Sequence, residues 1–570
     1  MSISSPLPKV RMLVISMLQG LLLYALYRAF DNNTWPSESP LWSYPMWTIA
    51  AAAPLLLLLS LTRSNTIAVA KHVAGFVAIL ALLAIYTGWQ AEPFGEFPVS
   101  SLSMAFILSI GLACFKALMY LQQRANGVPL TYQVLFTNSW RNFLVGALSA
   151  LFVLVFWLVL VLWGQLFKVI EIEFFHKLFR EDWFIFPALS IAFGLGVIMF
   201  RDLTHVIDNI SKLLHWLVKL LLPLVVTIAV IFLAALPAVG FEVLWSTGNG
   251  TALLLWLLAI ILFFTNAVYQ DGREVSPYPS LVHRAIYVGL CVMPFVSALS
   301  FYGLVLRLNQ YGWTVERCWA FVVWLVLALF SLGYVVGIVR RRAQWTTDLA
   351  RVNTAMGLIV LAIMLLANSP VLDFRKISLA SQLARIEAGE IELREFDFYY
   401  AKNHLGRPGY LAMQDMKADI GDSDPDLLGL IETPTWRDAT TSPEARDEAW
   451  ADIIYRPAPF EVPAELKPLI IDGALLTNTQ DTMLIQIDLD GDGKFEYLRI
   501  STHEYGLGYA QFYFQTDQGW QAGGLQYSAR DQDNNALRDQ LSDGKIELVE
   551  PRFKHVRIGD ISLKPIADGN

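Results

Sequence analysis

Four acids fall within the stretch DLDGDGKFE, which sets Asp488, Asp490, Asp492 and Glu496 at positions 1, 3, 5 and 9 of one loop. Calcium takes about six to eight oxygen ligands, and alternate aspartates before a turn-making Gly493 can converge on one ion while Lys494 offers its backbone carbonyl. Carboxylates this close repel one another without a cation. The expectation is a calcium loop held by Asp488, Asp490, Asp492, Lys494 and Glu496. It is not an EF-hand, because position 12 is Arg499 where that motif has a bidentate Glu, and strand-like runs flank it. The plainer alternative is an acidic hairpin tip, since Asp-Gly between alternating apolar runs is already a strong turn signal. His503 and Glu504 are explained as surface strand positions.

The elements that must hold this loop are MLIQIDL before it and FEYLRIS after it, joined by YAQFYFQ and KIELVEP as further strands. Upstream, Ser378 is expected to cap a helix over SLASQLARIEAG, with Leu379, Leu383 and Ile386 on one stripe and Gly389 as the stop. A second helix is expected over REFDFYYAKNHLG, closed at Gly406. A loop follows over 421–443, then a short helix over DEAWADIIY and a proline-rich link to Pro468. Residues 371–460 thus read as a helical subdomain and 461–570 as a β-rich domain, together a soluble α+β tail.

The rest of the chain is of another kind. Of 570 residues, 55% are hydrophobic and 16% charged, which suits a polytopic membrane protein. Residues 1–370 carry 22 Lys and Arg against 15 Asp and Glu, whereas 371–570 carry 20 against 35. An acidic tail lacks the basic face that phosphate contacts need, which argues against nucleic acid as a partner. Cys114, Cys291 and Cys318 all lie in apolar runs, so the tail has no disulfide framework.

A membrane span needs about 20 mostly apolar residues. Eleven runs qualify, near 12–30, 46–62, 67–88, 101–121, 143–166, 184–200, 216–236, 251–269, 285–306, 318–339 and 352–372. The first reads as a retained anchor. The last follows RRR at 340–342 and has the shortest apolar core. Cytoplasmic flanks carry excess Lys and Arg. With the N-terminus inside, sixteen of these residues fall on inner flanks and six on outer ones, which puts the tail outside. The expected orientation is therefore a cytoplasmic N-terminus and a C-terminal domain on the outer side of the membrane.

No chain of Asp, Glu or His lies at mid-depth, as a proton relay would require. Gln19, Gln165 and Asn266 are explained by hydrogen bonds between helices, and Gly194 with Gly196 by close helix packing. Pro54, Pro187, Pro223 and Pro294 are ordinary in spans whose freed carbonyls find other partners. The loop 164–184 gathers Glu171, Glu173, His176, Glu181 and Asp182 and reads as a solvated interfacial helix. No Walker phosphate loop, HExxH, GxSxG or paired CxxC occurs.

Five stretches, WRNFLVGALSALFVLVFWLVLVLWGQLFKVI from Trp140, AFGLGV from Ala192, TNAVYQDG from Thr265, LRLNQYGWTVERCWA from Leu306 and SQLARIEAG from Ser381, resemble the bacterial membrane family catalogued as domain of unknown function 4153. The resemblance implies a multi-span inner-membrane protein and carries over no catalytic residues. Two loops within it bear polar groups: Asn309, Gln310, Tyr311, Arg317 and Trp319 outside, and Asn266, Tyr269, Gln270, Asp271 and Arg273 inside. Tight turns at Gly312 and Gly272 with interfacial anchors account for both.

The functional expectation is a non-enzymatic protein that senses or organises the envelope, with the lipid bilayer and an envelope component facing the acidic tail as partners. A transporter of a neutral or lipidic substrate is the alternative, favoured by a lipid-sized cavity reaching mid-membrane. A third reading is a transferase acting on lipid-linked substrates at the outer face, using Asp31 or the cluster from Glu171 to Asp182, and their convergence in one outer cavity would favour it.

Overall fold

The computed structural model describes residues 7–240, 244, 250–269, 278–342, 345–421, 423–432, 450, 453–456, 460–475, 481–489, 491, 493–503, 506–516, 519–524, 556–558 and 561–563. Eleven helices are long and apolar enough to cross a membrane, one for each hydrophobic run. They are α1 (Lys9–Asp31), α2 (Pro40–Ser60), α3 (Thr66–Gln90), α4 (Ser100–Ala125), α5 (Tyr132–Val169), α7 (Asp182–Asp202), α8 (Thr204–Val239), α9 (Gly250–Tyr269), α10 (Ser280–Tyr311), α11 (Val315–Arg341) and α12 (Thr346–Leu366). The short α6 (Phe174–Leu178) interrupts the series. It is the only helix between α5 and α7 among the described residues, because the chain folds back there and Phe175 and Phe179 pack on Trp163 of α5. The expected interfacial helix is thus reduced to one turn.

The last span is offset from its expected limits. It begins at Thr346 because Arg341 and Arg351 both pair with Asp348 at 3.0 Å, which relieves the charge of the polar first turns. It ends at Leu366 because Asn368 Nδ2 donates back to the Met364 carbonyl at 2.7 Å and Ser369 Oγ to the Leu366 carbonyl at 2.7 Å. Pro370 then has no N–H with which to continue the ladder.

The spans bury two separate apolar cores. One gathers Met12, Leu56, Val69, Leu80, Leu118, Val145 and Val197 from α1 to α5 and α7. The other gathers Leu222, Leu258, Ile286, Met293, Tyr334 and Leu349 from α8 to α12. A smaller cluster of Ala113, Cys318, Val322, Val360 and Met364 lies where α4, α11 and α12 meet. Helix α12 therefore contributes to the second core and to this seam, and also packs on α4 and α5. Lipid offers no hydrophobic drive to bring helices together, so close approach rests on small residues. Gly194 of α7 abuts Ser16 and Gly196 abuts Ser149, leaving no room for a Cβ at the first.

The compact unit built on the spans comprises Met1–Ile391 with Ala401–Gly421. Within it α13 (Phe374–Glu387) is capped by Asp373 and not by Ser378, which is buried inside the helix and donates to the Trp313 carbonyl at 3.1 Å. Gly389 ends it with φ +71°, in the left-handed region that glycine tolerates. After α14 (Phe398–His404), Gly406 opens a further helix, α15 (Gly406–Ile420).

The second unit comprises Glu392–Tyr400 with Asp422–Asn570. It holds α16 (Pro425–Glu432), α17 (Lys467–Leu475) and a five-stranded sheet in the order β1 (Ile453–Arg456), β2 (Asp481–Ile487), β3 (Glu496–His503), β4 (Gly506–Thr516), β5 (Gly519–Gly524). A separate hairpin joins β6 (Val556–Ile558) to β7 (Ile561–Leu563). The segment IIYR, expected to be helical, is instead β1, parallel to β2 with Ile453 opposite Thr482; its branched residues suit a pleated, half-buried surface. Leu466, Ile470, Leu484, Tyr497 and Tyr513 form the core under the sheet. The segment KIELVEP lies outside the described residues.

Candidate functional site

Helix α3 ends in YTGWQ, which sets Tyr86 and Gln90 one turn apart on the same face. After α12 the chain reads VLDFRK, and Asp373 begins the next helix by accepting the Arg375 backbone N–H at 3.1 Å. The same carboxylate accepts Arg375 Nε at 2.8 Å and Nη2 at 3.2 Å, the Tyr86 hydroxyl at 2.6 Å and Gln90 Nε2 at 3.1 Å. Asp373 is 4% exposed and Arg375 9%. Two charges survive burial here because the acid's lone pairs are all used and its countercharge is in contact. Burial by itself would raise the Asp373 carboxyl, but the charge and hydrogen bonds of Arg375, aided by Tyr86, hold it below the usual carboxylate range.

This pair forms one wall of a cavity of about 540 Å³, within the size range of small-ligand pockets. Arg375 Nη1 has no hydrogen-bond partner among the described residues, and Arg375 lines the cavity. Glu316 and His404 also line it, with His404 Nδ1 3.7 Å from Glu316 Oε1. Below this polar mouth the walls turn apolar, with Leu108 and Leu112 of α4, Val323 of α11 and Met364 of α12. From Ser101 to Leu112 the cavity follows α4 for about 16 Å at a rise of about 1.5 Å per residue, close to half of a bilayer core.

The mouth is braced by α13 and α15. Gln382 Nε2 donates to the Tyr311 carbonyl at 2.9 Å and Arg385 Nη2 to the Gln310 carbonyl at 3.1 Å. Ser101 Oγ donates to the Asn403 carbonyl at 3.2 Å, and the Arg407 guanidinium lies 4.9 Å from the centre of the Trp89 ring. The loop at 309–319 thus serves as a backbone platform through its carbonyls, and its Trp319 lines the cavity.

A second cavity of about 290 Å³ lies on the same seam toward the other helix ends, lined by Lys116 and Tyr120 of α4, Asn266 of α9 and Asn353 of α12. There the Tyr334 hydroxyl is 2.7 Å from Asn266 Oδ1 and 2.5 Å from Asn353 Oδ1. Asn353 Nδ2 donates to the Tyr132 hydroxyl at 2.7 Å and also to Asn266 Oδ1. Between the two cavities stand about one to two helical turns of apolar side chains, Ala113 and Val360 among them.

Other polar residues singled out in the sequence are placed differently. Asp488 Oδ1 accepts from the Gly491 N–H at 2.7 Å and Oδ2 from the Gly493 N–H at 3.1 Å, while Glu496 Oε2 accepts from the Leu489 N–H at 2.6 Å. The loop joins β2 to β3 as expected, with both glycines at positive φ. Lys494 is exposed in it, while Asp490, Asp492 and Glu504 lie outside the described residues. Arg499 is buried, its Nη2 donating to Gln511 Oε1 at 2.8 Å. Asp31 pairs with Arg28 at 3.2 Å and Glu173 with Lys177 at 2.6 Å, and neither lines the two cavities described above. Gln19 donates to the Ala50 carbonyl at 3.3 Å and Gln165 is exposed on α5. Gln270, Asp271 and Arg273 lie outside the described residues.

Eleven apolar helices followed by a small mixed sheet define a polytopic membrane protein with a soluble α+β tail. The chain belongs to the family described as domain of unknown function (DUF4153), whose model matches residues 14–416. No curated protein and no solved structure matches it. The family region ends inside α15, near the end of the first compact unit at Gly421, and therefore includes the cavity mouth and excludes the loop at 488–496.

Proposed function

We propose that this is a bacterial inner-membrane protein that moves a lipidic substrate along the seam between α4, α11 and α12, as a transporter and not as an enzyme. The observation that carries this reading is the 540 Å³ cavity, polar at its mouth and apolar to about mid-membrane, with a second cavity in line beyond a short apolar plug. Sites between packed lobes near the midplane are where transporters hold their cargo. Envelope sensing draws its support from the acidic tail, of which the family match covers only the part up to residue 416.

The finer placement follows from charge. Sixteen Lys and Arg on one set of flanks against six on the other favour a cytoplasmic N-terminus and a periplasmic tail. In that compartment calcium, held by Asp488, Asp490, Asp492, Lys494 and Glu496, would stiffen an accessory hairpin. A reporter fused after Asn570 that is active only in the periplasm is the expected result, and activity confined to the cytoplasm would reverse the orientation.

Transport is tested with the purified full chain in vesicles carrying a fluorescent phospholipid, by adding a membrane-impermeant quencher. Protein should speed the loss of inner-leaflet fluorescence over empty vesicles, and Leu112→Trp should slow it. Equal rates with and without protein would sink the transport reading.

A further inference from the structure

Resting on that cavity reading, we infer that the mouth selects a zwitterionic phospholipid of the surrounding bilayer, one whose head joins a phosphate to a primary ammonium. Three observations lead there. Arg375 is fixed by two bonds to Asp373, so its remaining guanidinium edge is preorganised and faces the cavity. A planar guanidinium edge suits phosphate oxygens, and its cost of ordering has already been met by Asp373 and the fold.

The second observation is the balance of charge. Among the charged residues that line the cavity, Asp373 pairs with Arg375, and Glu316 is the second carboxylate, with His404 Nδ1 3.7 Å from it. A head with net negative charge would meet that carboxylate unfavourably. One with an ammonium beyond its phosphate places opposite charges against both Arg375 and Glu316.

The third is the apolar wall. Leu108, Leu112 and Val323 continue from the mouth to about mid-membrane, which a free phosphate or a soluble phosphoester would leave uncovered. An acyl chain covers it, and the bilayer supplies that occupant directly.

The experiment is native mass spectrometry of the purified full chain in neutral detergent. The probe is an equimolar mixture of phosphatidylethanolamine and phosphatidylglycerol with identical acyl chains. The wild type should retain the ethanolamine lipid about tenfold over the glycerol lipid, the worth of one charge-assisted hydrogen bond. Glu316→Gln should bring that ratio close to one by lowering retention of the ethanolamine lipid while that of the glycerol lipid does not fall. Arg375→Lys, which keeps the charge against Asp373 and loses the planar edge, should lower retention of both lipids about tenfold. Equal retention by the wild type, a preference for the anionic lipid, or an unchanged ratio in Glu316→Gln would overturn the inference. Leu112→Trp, which narrows the cavity at its deeper end, separates the two levels. If it leaves retention intact, the bound lipid lies elsewhere and the cavity reading itself fails. If it removes retention while the wild type shows no headgroup preference, only the selectivity is wrong.

Discussion

The Asp373 carboxylate and the Asp488 carboxylate both accept hydrogen bonds, but they reach different distances along the chain for them. Asp488 takes its donors from Gly491 and Gly493, within five residues, and so makes a turn. Asp373 takes three from Arg375, two residues on, and in addition one from Tyr86, 287 residues away in sequence, and one from Gln90, and so joins two distant helices. The first arrangement is complete as a local unit in the soluble tail. The second exists only when the bundle is assembled, and the cavity mouth exists with it. A spaced acidic motif is thus the conspicuous feature of this sequence, while the chemistry that shapes a cavity sits in an inconspicuous LDFRK.

That contrast can be broken most sharply at Asp373. Asp373→Ala leaves Arg375 buried without its partner and should cost about 3–5 kcal/mol, read as a large fall in the unfolding midpoint of the detergent-solubilised full chain. An unchanged midpoint would mean that the pair is incidental. Next in size, Gly194→Val should cost about 1–3 kcal/mol, because the added atoms meet Ser16 across a helix contact that has no slack. Tyr334→Phe in the second cavity should cost about 0.6–1.7 kcal/mol by the same melting assay, since membrane hydrogen bonds contribute modestly.

Acid sharpens the comparison further. The Asp373 carboxyl titrates below its unfolded value of about 3.9, so its stabilisation is present above that pH and is lost as pH falls through the folded value. The wild-type midpoint should therefore drop more steeply below about pH 4 than that of Asp373→Asn. Smallest of all, Asp490→Asn with Asp492→Asn should abolish any protection of the tail by calcium against limited proteolysis and leave the bundle's midpoint unchanged. Protection that persists in this variant would remove the calcium loop.

Much of the architecture was legible because hydropathy is a local property. All eleven spans, the glycine stop at Gly389 and strands β2 to β4 follow from runs of residues that announce themselves. Helix α13 was legible as a helix but was given the wrong cap. Ser378 has the right side chain for a cap, while Asp373, five residues earlier, is also an N-cap residue and has the buried partners that decide the matter. The strand IIYR was misread because Trp450 and its neighbours share a helical spacing that pairing with β2 overrides. The cavity was not legible at all. Its mouth draws on α3, α11, the segment after α12, and His404, and only the charged pair at 373 and 375, apolar residues aside, hinted that something there was buried.

Helix α12 gives this order a temporal meaning. It is the eleventh span, and it is also the element that packs on α4 and α5 from one core and on α11 from the other. As the chain is made, both lobes enter the membrane before the helix that closes the gap between them. Until residues 373 and 375 follow it, the groove along α4 lacks its charged wall. The cavity along α4 is thus completed during synthesis by parts that arrive after both lobes.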